Sequence, residues 1–121
     1  MQLAATYFRI CRLPFLLVGL LSLSAAAQAP VDVRVALVIG NSEYPASPLV
    51  NPVNDANAMG ASLRGLGFTV VELRNARKEH MVAAIARMRD ALKDKNGIGM
   101  LYYAGHGLQL DWRNYMVPVD A

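Results

Sequence analysis

The segment VRVALVIGN, residues 33–41, limits the fold of this chain more than any other feature. Apart from Arg34 it is a run of β-branched and aliphatic residues that ends in Gly-Asn, and such a run is typical of a strand that is buried on both of its faces. Strands of this kind lie inside parallel sheets, because helices cover both faces of those sheets. The rest of the chain must therefore supply covering helices and further strands.

Alternating helical and strand patterns follow this first strand. The loop SEYPASPLVNP carries three prolines and leads into a segment whose apolar residues recur three or four positions apart, as on one face of a helix. Strand, helix, strand, helix, strand is the order of a parallel sheet with right-handed crossovers. The sequence therefore predicts an α/β fold with a parallel core sheet, β-α-β-α-β plus a short hairpin. The predicted elements are strands at residues 33–41, 68–73 and 98–105, helices at residues 53–66 and 75–97, and a hairpin within residues 108–118.

The first 29 residues have the pattern of a secretory signal peptide. Arg9 and Arg12 precede an apolar run at residues 13–23, and Ala27 and Ala29 supply the small residues before a cleavage site. The apolar run is shorter than the ~20 residues that a membrane-spanning helix needs, so cleavage is favoured over the alternative of a retained anchor. We therefore expect a signal peptide at residues 1–29, a domain at residues 30–121, only transient contact with the membrane, and a periplasmic or secreted location.

Removal of the signal peptide changes the chemistry that the chain can offer. The single cysteine, Cys11, lies within it, so residues 30–121 provide no thiol for a disulfide, a zinc-thiolate site or a nucleophile. The formal net charge also falls from +3, because the loss of two arginines leaves ten basic residues against nine acidic ones. This balance, with charges that alternate along the chain, predicts no nucleic-acid partner.

Two loops at the predicted carboxyl ends of strands carry polar groups. One follows the first strand and leads to Asn54 and Asp55, and the other is the turn Gly105-His106-Gly107 after the third strand. Ligands of parallel sheets bind beyond the carboxyl ends of the strands. If the first and third strands are neighbours, His106 and Asp55 face the same crevice.

Local pattern leaves structural alternatives open for each candidate. His106 is either a turn-stabilising residue or a catalytic one, and its flanking glycines would let backbone approach a ligand closely. Asp55 lies where a carboxylate is favoured at a helix start, and local pattern alone favours that role. His80, in the first turn of the second helix, is interpreted as solvated. Trp112 and Tyr115 on the hairpin are candidates to wall a pocket or to cover the sheet edge.

Three segments together resemble a known family. RVALVIGNSEY, LVNPVNDANAMGASLRGLGFTVV and GMLYYAGHGLQLDWRNYMVPVDA are similar, in that order and spacing, to the start of the catalytic domain of caspase-like cysteine peptidases, and most of all to bacterial metacaspases. The resemblance covers residues 33–121, with YYAGHG as its most specific element and NDA as the second. It implies a three-layer caspase-like fold and a cysteine-type endopeptidase activity on protein or peptide substrates.

The resemblance also implies roles for three residues. His106 falls on the catalytic histidine, which activates a cysteine thiol and protonates the leaving amine. Gly107 falls on the glycine whose amide helps to form the oxyanion hole. Asp55 matches an aspartate that lines the pocket for the substrate residue before the cut and favours Arg or Lys there. No cofactor or metal is predicted, because the chain has neither of the glycine-rich nucleotide-binding motifs nor an acidic cluster at metal-ligand spacing.

The family's nucleophile has no counterpart in residues 30–121. In relatives it is a cysteine that follows an aspartate, in a D-x-C element at the end of the next core strand, and we expect this chain to be truncated before that strand. The chain alone is therefore expected to be inactive and to self-associate through an exposed sheet edge. Two functions stay open: the amino-terminal part of an exported cysteine peptidase, or a catalytically inactive module that binds a peptide or another protein.

Overall fold

The computed structural model describes Val31 and residues 33–121, so the predicted signal peptide and Cys11 lie outside the described residues. Strands and helices alternate along the chain before a terminal hairpin. The elements are β1 (Val33–Gly40), α1 (Pro52–Gly65), β2 (Thr69–Arg74), α2 (Lys78–Leu92), β3 (Gly97–Ala104), β4 (Gly107–Leu110) and β5 (Arg113–Met116).

The first three strands form one parallel sheet in the order β2-β1-β3. Gly40 at the end of β1 is level with Arg74 of β2 and with Ala104 of β3, so all three strands end at the same edge. The predicted parallel core sheet is therefore confirmed. The first and third strands are neighbours, which was the condition for placing His106 and Asp55 at one edge.

Helices cover both faces of β1, as its sequence predicts. Ala36 and Val38 point to one face and pack with Ala56 and Leu63 of α1. Leu37 and Ile39 alternate with them and pack on the other face, against Met81 and Ala84 of α2. The four β1 side chains have no exposed surface, and this double burial explains why residues 35–39 form an uninterrupted apolar run.

Gly40 brings the start of α1 onto the end of β1. A Cβ at this position would lie 2.5 Å from the Pro52 carbonyl oxygen and 2.7 Å from the Ala56 Cβ. Real side chains do not tolerate contacts this short, so the first turn of α1 can approach the strand only because residue 40 is a glycine. This contact holds Asn54 and Asp55 at the carboxyl edge of the sheet.

The predicted terminal hairpin is also present. β4 and β5 are antiparallel, and Leu110 pairs with Arg113 across the two turn residues Asp111 and Trp112. Both turn residues have positive φ, 49° and 61°, as tight hairpin turns require. Trp112 is 95% exposed, so the expectation that it walls a pocket or covers the sheet edge is wrong.

The predicted helix at residues 75–97 is too long at both ends. Asn75 has φ 48° and Asp94 has φ 56°, and neither value is helical. Asn75 instead accepts hydrogen bonds on its side-chain oxygen from the Ser42 and Glu43 amides, so it fixes the loop after β1. No helix in the part of the chain that the structure describes is long and apolar enough to cross a membrane.

Candidate active site

His106 lies between β3 and β4 and lines a cleft of about 350 Å³. This His106 cleft opens between the loop after β1 and the segment that follows β5. Its position beyond the carboxyl ends of neighbouring parallel strands is the one where such sheets bind ligands. The cleft is lined by Tyr44, Pro45, Ala46, Ser47, His106, Val117 and Ala121.

The imidazole of His106 is fixed by two contacts. Its Nε2 lies 2.7 Å from the Ser47 carbonyl oxygen, and its ring packs on the Tyr44 ring with the centroids 4.5 Å apart. Because a carbonyl oxygen only accepts, Nε2 carries the hydrogen, and the neutral ring then has its lone pair on Nδ1. None of the hydrogen bonds within residues 33–121 involves Nδ1, so His106 can accept a proton there.

Both peptide groups of His106 are bound as well. Its N–H donates to the Tyr44 hydroxyl at 3.0 Å. Its carbonyl accepts from the Tyr103 hydroxyl at 2.7 Å and from the Val117 N–H at 3.0 Å. The main chain of the predicted catalytic residue is thus held by the loop after β1, by β3 and by the segment after β5.

The two tyrosyl hydroxyls meet directly beside Gly105. They lie 2.9 Å apart, and a Cβ on Gly105 would be 2.5 Å from the Tyr103 oxygen and 2.6 Å from the Tyr44 oxygen. Only glycine fits at this position. The first glycine of the YYAGHG element therefore leaves room for the two hydroxyls.

Asn41, directly after β1, is bonded to the loop after β2 and to the segment after β5. Its side chain has no exposed surface; its oxygen accepts from the Ala76 N–H at 2.8 Å, and its nitrogen donates to the Val117 carbonyl at 3.3 Å. A buried side-chain amide whose donor and acceptor are both used gives a specific arrangement of the backbone around it. Asn41 therefore fixes the position of Val117, which lines the His106 cleft.

Tyr103 keeps its proton far into alkaline conditions. Burial, followed by the hydrogen bond with Tyr44, raises the pKa of the Tyr103 hydroxyl well above its usual value of 10.0. Burial has this direction because it penalises the charged phenolate. The hydroxyl therefore remains a hydrogen-bond donor wherever the protein is folded near neutral pH.

Gly107 presents its amide away from the hairpin partner. Consecutive pairs in an antiparallel ladder alternate between bonded and non-bonded types. The Val117 N–H bonds the His106 carbonyl, so the next pair, Gly107 with Met116, is of the non-bonded type. The Gly107 N–H therefore makes no ladder hydrogen bond to β5. An amide that is to donate to a ligand must not be used by the hairpin partner.

Asp55 is exposed in the first turn of α1, at the same edge of the sheet as His106. Within the described residues, no hydrogen bond or ion pair joins its carboxylate to His106, and Asp55 does not line the His106 cleft. The structure thus places the two residues at one edge without bringing their side chains into contact. The predicted pocket role of Asp55 stays a prediction.

The remaining candidates are peripheral. His80 has 60% of its side chain exposed, near Glu79 at 3.6 Å, as its solvated interpretation predicts. Tyr115 lines a second cleft, of about 420 Å³, together with Tyr103 and Gly107. The described residues contain no group of three or more His, Cys, Asp or Glu side chains that could hold a metal ion.

Sequence reasoning missed the residues that hold His106 in place. Tyr44 and Ser47 lie in a loop without periodicity, and they are 62 and 59 residues from His106. Tyr103 falls within the strand predicted at residues 98–105, and the sequence does not mark it as a partner of His106. Strand alternation does show that Tyr102 and Tyr103 face opposite sides of the sheet, but it does not show which of them reaches the turn.

Comparisons with known proteins match the part of the chain that forms this fold. The family described as the caspase domain, peptidase C14, matches residues 33–121. The human mucosa-associated lymphoid tissue lymphoma translocation protein 1 is 42% identical to this chain over 89 residues, and the homolog from Mus musculus has the same identity over the same length. These residues are 73% of this chain but 11% of each relative. The chain thus spans about a tenth of the length of the curated relatives it matches.

Proposed function

This chain belongs to the caspase-domain family, and on that premise we propose that it provides the histidine side of a cysteine endopeptidase active site. A caspase-like domain indicates a cysteine-peptidase type of function. The proposal goes further: His106 is the general base and acid, the Gly107 amide stabilises the oxyanion, and protein or peptide chains are the substrates. The alternative of an inactive interaction module is not favoured by the family match.

One observation carries the proposal, the 2.7 Å contact between His106 Nε2 and the Ser47 carbonyl. It holds the hydrogen on Nε2 and leaves the Nδ1 lone pair for the reaction. Nδ1 takes the proton of a cysteine thiol, and the thiolate sulfur attacks the scissile carbonyl carbon. The negative charge that forms on the carbonyl oxygen is stabilised by the Gly107 N–H. The proton on Nδ1 then passes to the leaving amine, and water hydrolyses the thioester.

We place the missing thiol on a strand that pairs with the outer edge of β3. The edge is free in the described sheet, because β3 is its last strand, and Ile98, Met100 and Leu101 on β3 are 41–46% exposed. A parallel strand on this edge would end near the turn that carries His106. The family resemblance implies a D-x-C element there, which would be encoded after Ala121.

The finer assignments rest on the sequence resemblance and on the placement of Asp55. YYAGHG and NDA favour the bacterial metacaspase type, with export directed by residues 1–29. Asp55 is exposed at the same sheet edge as His106, where a carboxylate favours a cationic substrate side chain and repels an acidic one. We therefore propose cleavage after Arg or Lys, and no cleavage by the 121-residue chain alone.

The test begins with the reading frame beyond the codon for Ala121. The longer product is expressed and assayed on matched fluorogenic peptides that carry Arg, Lys or Asp before the cut. Cleavage after Arg and Lys but not after Asp is expected.

His106→Ala should lower kcat about 10²–10⁴-fold, whereas His80→Ala, the same change at an exposed histidine, should leave it unchanged. Asp55→Asn should lower kcat/KM for Arg and Lys peptides, with Asp94→Asn as its control.

Two results would overturn the proposal. The first is a longer product that contains the D-x-C element, folds, and cleaves none of the peptides. The second is loss of activity to the same extent in the His80 and His106 variants. Measurable cleavage by the 121-residue chain alone, retained in Cys11→Ala, would show that the thiol argument is wrong.

A further inference from the structure

The hydroxyls of Tyr44 and Tyr103 have more hydrogen-bond acceptors than hydrogens. The Tyr44 hydroxyl lies 2.9 Å from the Val117 carbonyl and 2.9 Å from the Tyr103 oxygen. The Tyr103 hydroxyl lies 2.7 Å from the His106 carbonyl and 2.8 Å from the Val117 carbonyl. Because each hydroxyl has one hydrogen, only two of these four contacts are hydrogen bonds at any moment.

The neighbouring donors and acceptors favour one arrangement. The Tyr103 hydrogen is assigned to the His106 carbonyl, which lies at 2.7 Å against 2.8 Å for the Val117 carbonyl. The Tyr44 hydrogen then points to the Tyr103 oxygen at 2.9 Å, because the Val117 carbonyl, the other acceptor near the Tyr44 hydroxyl, already accepts from the Asn41 amide. The Val117 carbonyl is left to the Asn41 amide at 3.3 Å.

The result is a closed chain of hydrogen bonds that starts and ends on one residue. The His106 N–H donates to the Tyr44 hydroxyl, which donates to the Tyr103 hydroxyl, which donates to the His106 carbonyl. Each hydroxyl accepts one hydrogen and donates one. Hydrogen bonds in such chains polarise and strengthen one another, so loss of any member weakens all of them.

The closed chain also determines the direction of the Gly107 N–H, because of the geometry of the peptide bond. The His106 carbonyl and the Gly107 N–H belong to the same planar trans peptide, so they point in opposite directions. Whatever fixes the carbonyl therefore fixes the direction of the amide. We propose that Tyr44 and Tyr103 act together as positioning residues, which hold the His106–Gly107 peptide so that the Gly107 N–H faces the ligand side of the turn. Only the purpose assigned to that amide rests on the proposed function.

The experiment uses the 121-residue chain labelled with ¹⁵N, and Tyr44→Phe, Tyr103→Phe and the double variant. Phenylalanine keeps both rings, including the contact of residue 44 with the imidazole, and removes only the hydroxyl. The matched control is Tyr102→Phe, since the Tyr102 hydroxyl makes no hydrogen bond to any described residue and faces the α1 layer. The readouts are the amide resonances and hydrogen exchange of residues 106 and 107, with thermal unfolding measured alongside.

The expected result is specific to a closed chain. Each single variant should speed exchange of the His106 amide about fivefold, the equivalent of one ordinary hydrogen bond. The double variant should show about the same fivefold effect, because the first substitution already breaks the closed chain and the second then removes little further stabilisation. The Gly107 amide resonance should move in Tyr44→Phe, although the Tyr44 hydroxyl does not touch the His106–Gly107 peptide plane. Tyr102→Phe should change none of these readouts.

Independent contributions would overturn the inference: exchange in the double variant would then be about twenty-five-fold faster. An unchanged Gly107 resonance in a folded Tyr44→Phe variant would overturn it too, and that variant decides alone if Tyr103→Phe does not fold. No peptidase activity is needed for these readouts. A closed chain without cleavage by the longer product contradicts only the proposed function, and cleavage without the closed chain contradicts only this inference.

Discussion

Gly105 lies where two hydroxyl groups leave no room for a side chain. A Cβ would meet the Tyr103 and Tyr44 oxygens at 2.5 and 2.6 Å. Both tyrosines are held by further hydrogen bonds, so neither can retreat without breaking one. The residue before the predicted catalytic histidine is therefore constrained by what packs behind it.

Gly105→Ala is expected to lower the free energy of unfolding by about 1–3 kcal/mol, the usual cost of forcing extra volume into a packed region. Urea unfolding followed by circular dichroism measures this change. The matched control is Gly65→Ala at the end of α1, where a Cβ would meet nothing within 4 Å; it should be neutral or stabilising. Equal effects of the two substitutions would contradict the steric explanation.

The residues of the site differ in how far the sequence predicts them. His106, Gly107 and Asp55 lie in short segments whose order and spacing resemble a family. Tyr44 and Asn41 act on groups 62 and 35 residues away in the chain. Periodicity and turn patterns describe neighbours within a few positions, so they contain no information about such partners.

At the scale of elements, Glu72 ties α1 to β2. Its carboxylate lies 2.8 Å from the Arg74 guanidinium and 2.9 Å from that of Arg64 on the helix. Hydrogen bonds first from Arg74 and then from Arg64 lower the pKa of Glu72 below its usual 4.5. A lowered native pKa means that the carboxylate stabilises the fold above pH 4.5, and that this stabilisation is lost as the pH falls through the native pKa.

Glu72→Gln is therefore expected to lower the free energy of unfolding at pH 7 by about 0.5–1 kcal/mol, since the Arg64 side chain is half exposed. The difference from the unsubstituted protein should shrink as the pH falls below 4.5. Denaturant unfolding at a series of pH values measures it. Asp90→Asn, which removes an exposed pair within α2, serves as the control and should have little effect at any pH.

Element order follows from the sequence, whereas element ends do not. Apolar periodicity predicted every strand and helix, since each has to bury a face. The predicted start of α2 is wrong because Asn75 and Ala76 bond to the loop after β1 instead of continuing the helix. Ile85 of α2 follows Met81 at helical spacing but is 42% exposed, whereas Met81 and Ala84 are buried in the core cluster and Met88 packs against it.

At the scale of the whole molecule, the strands of the described sheet differ in how much of their surface is buried. β1 is buried, whereas most of β3 is exposed. The Asn41 N–H bonds the Ala104 carbonyl, so by alternation along a parallel strand the backbone groups of Tyr103, Leu101 and Gly99 point outward. An unpaired row of donors and acceptors beside exposed apolar side chains is a template for another strand.

The 121-residue chain is accordingly expected to self-associate through β3, in a way that depends on concentration. Sedimentation velocity between micromolar and hundred-micromolar protein should show species larger than a monomer. Leu101→Lys should shift the distribution towards monomer, because edge lysines oppose strand pairing. Leu66→Lys, the same change at a leucine that is 62% exposed after α1, should not. A chain that stays monomeric over the whole range, or that responds equally to both lysines, would rule out β3 as the associating edge.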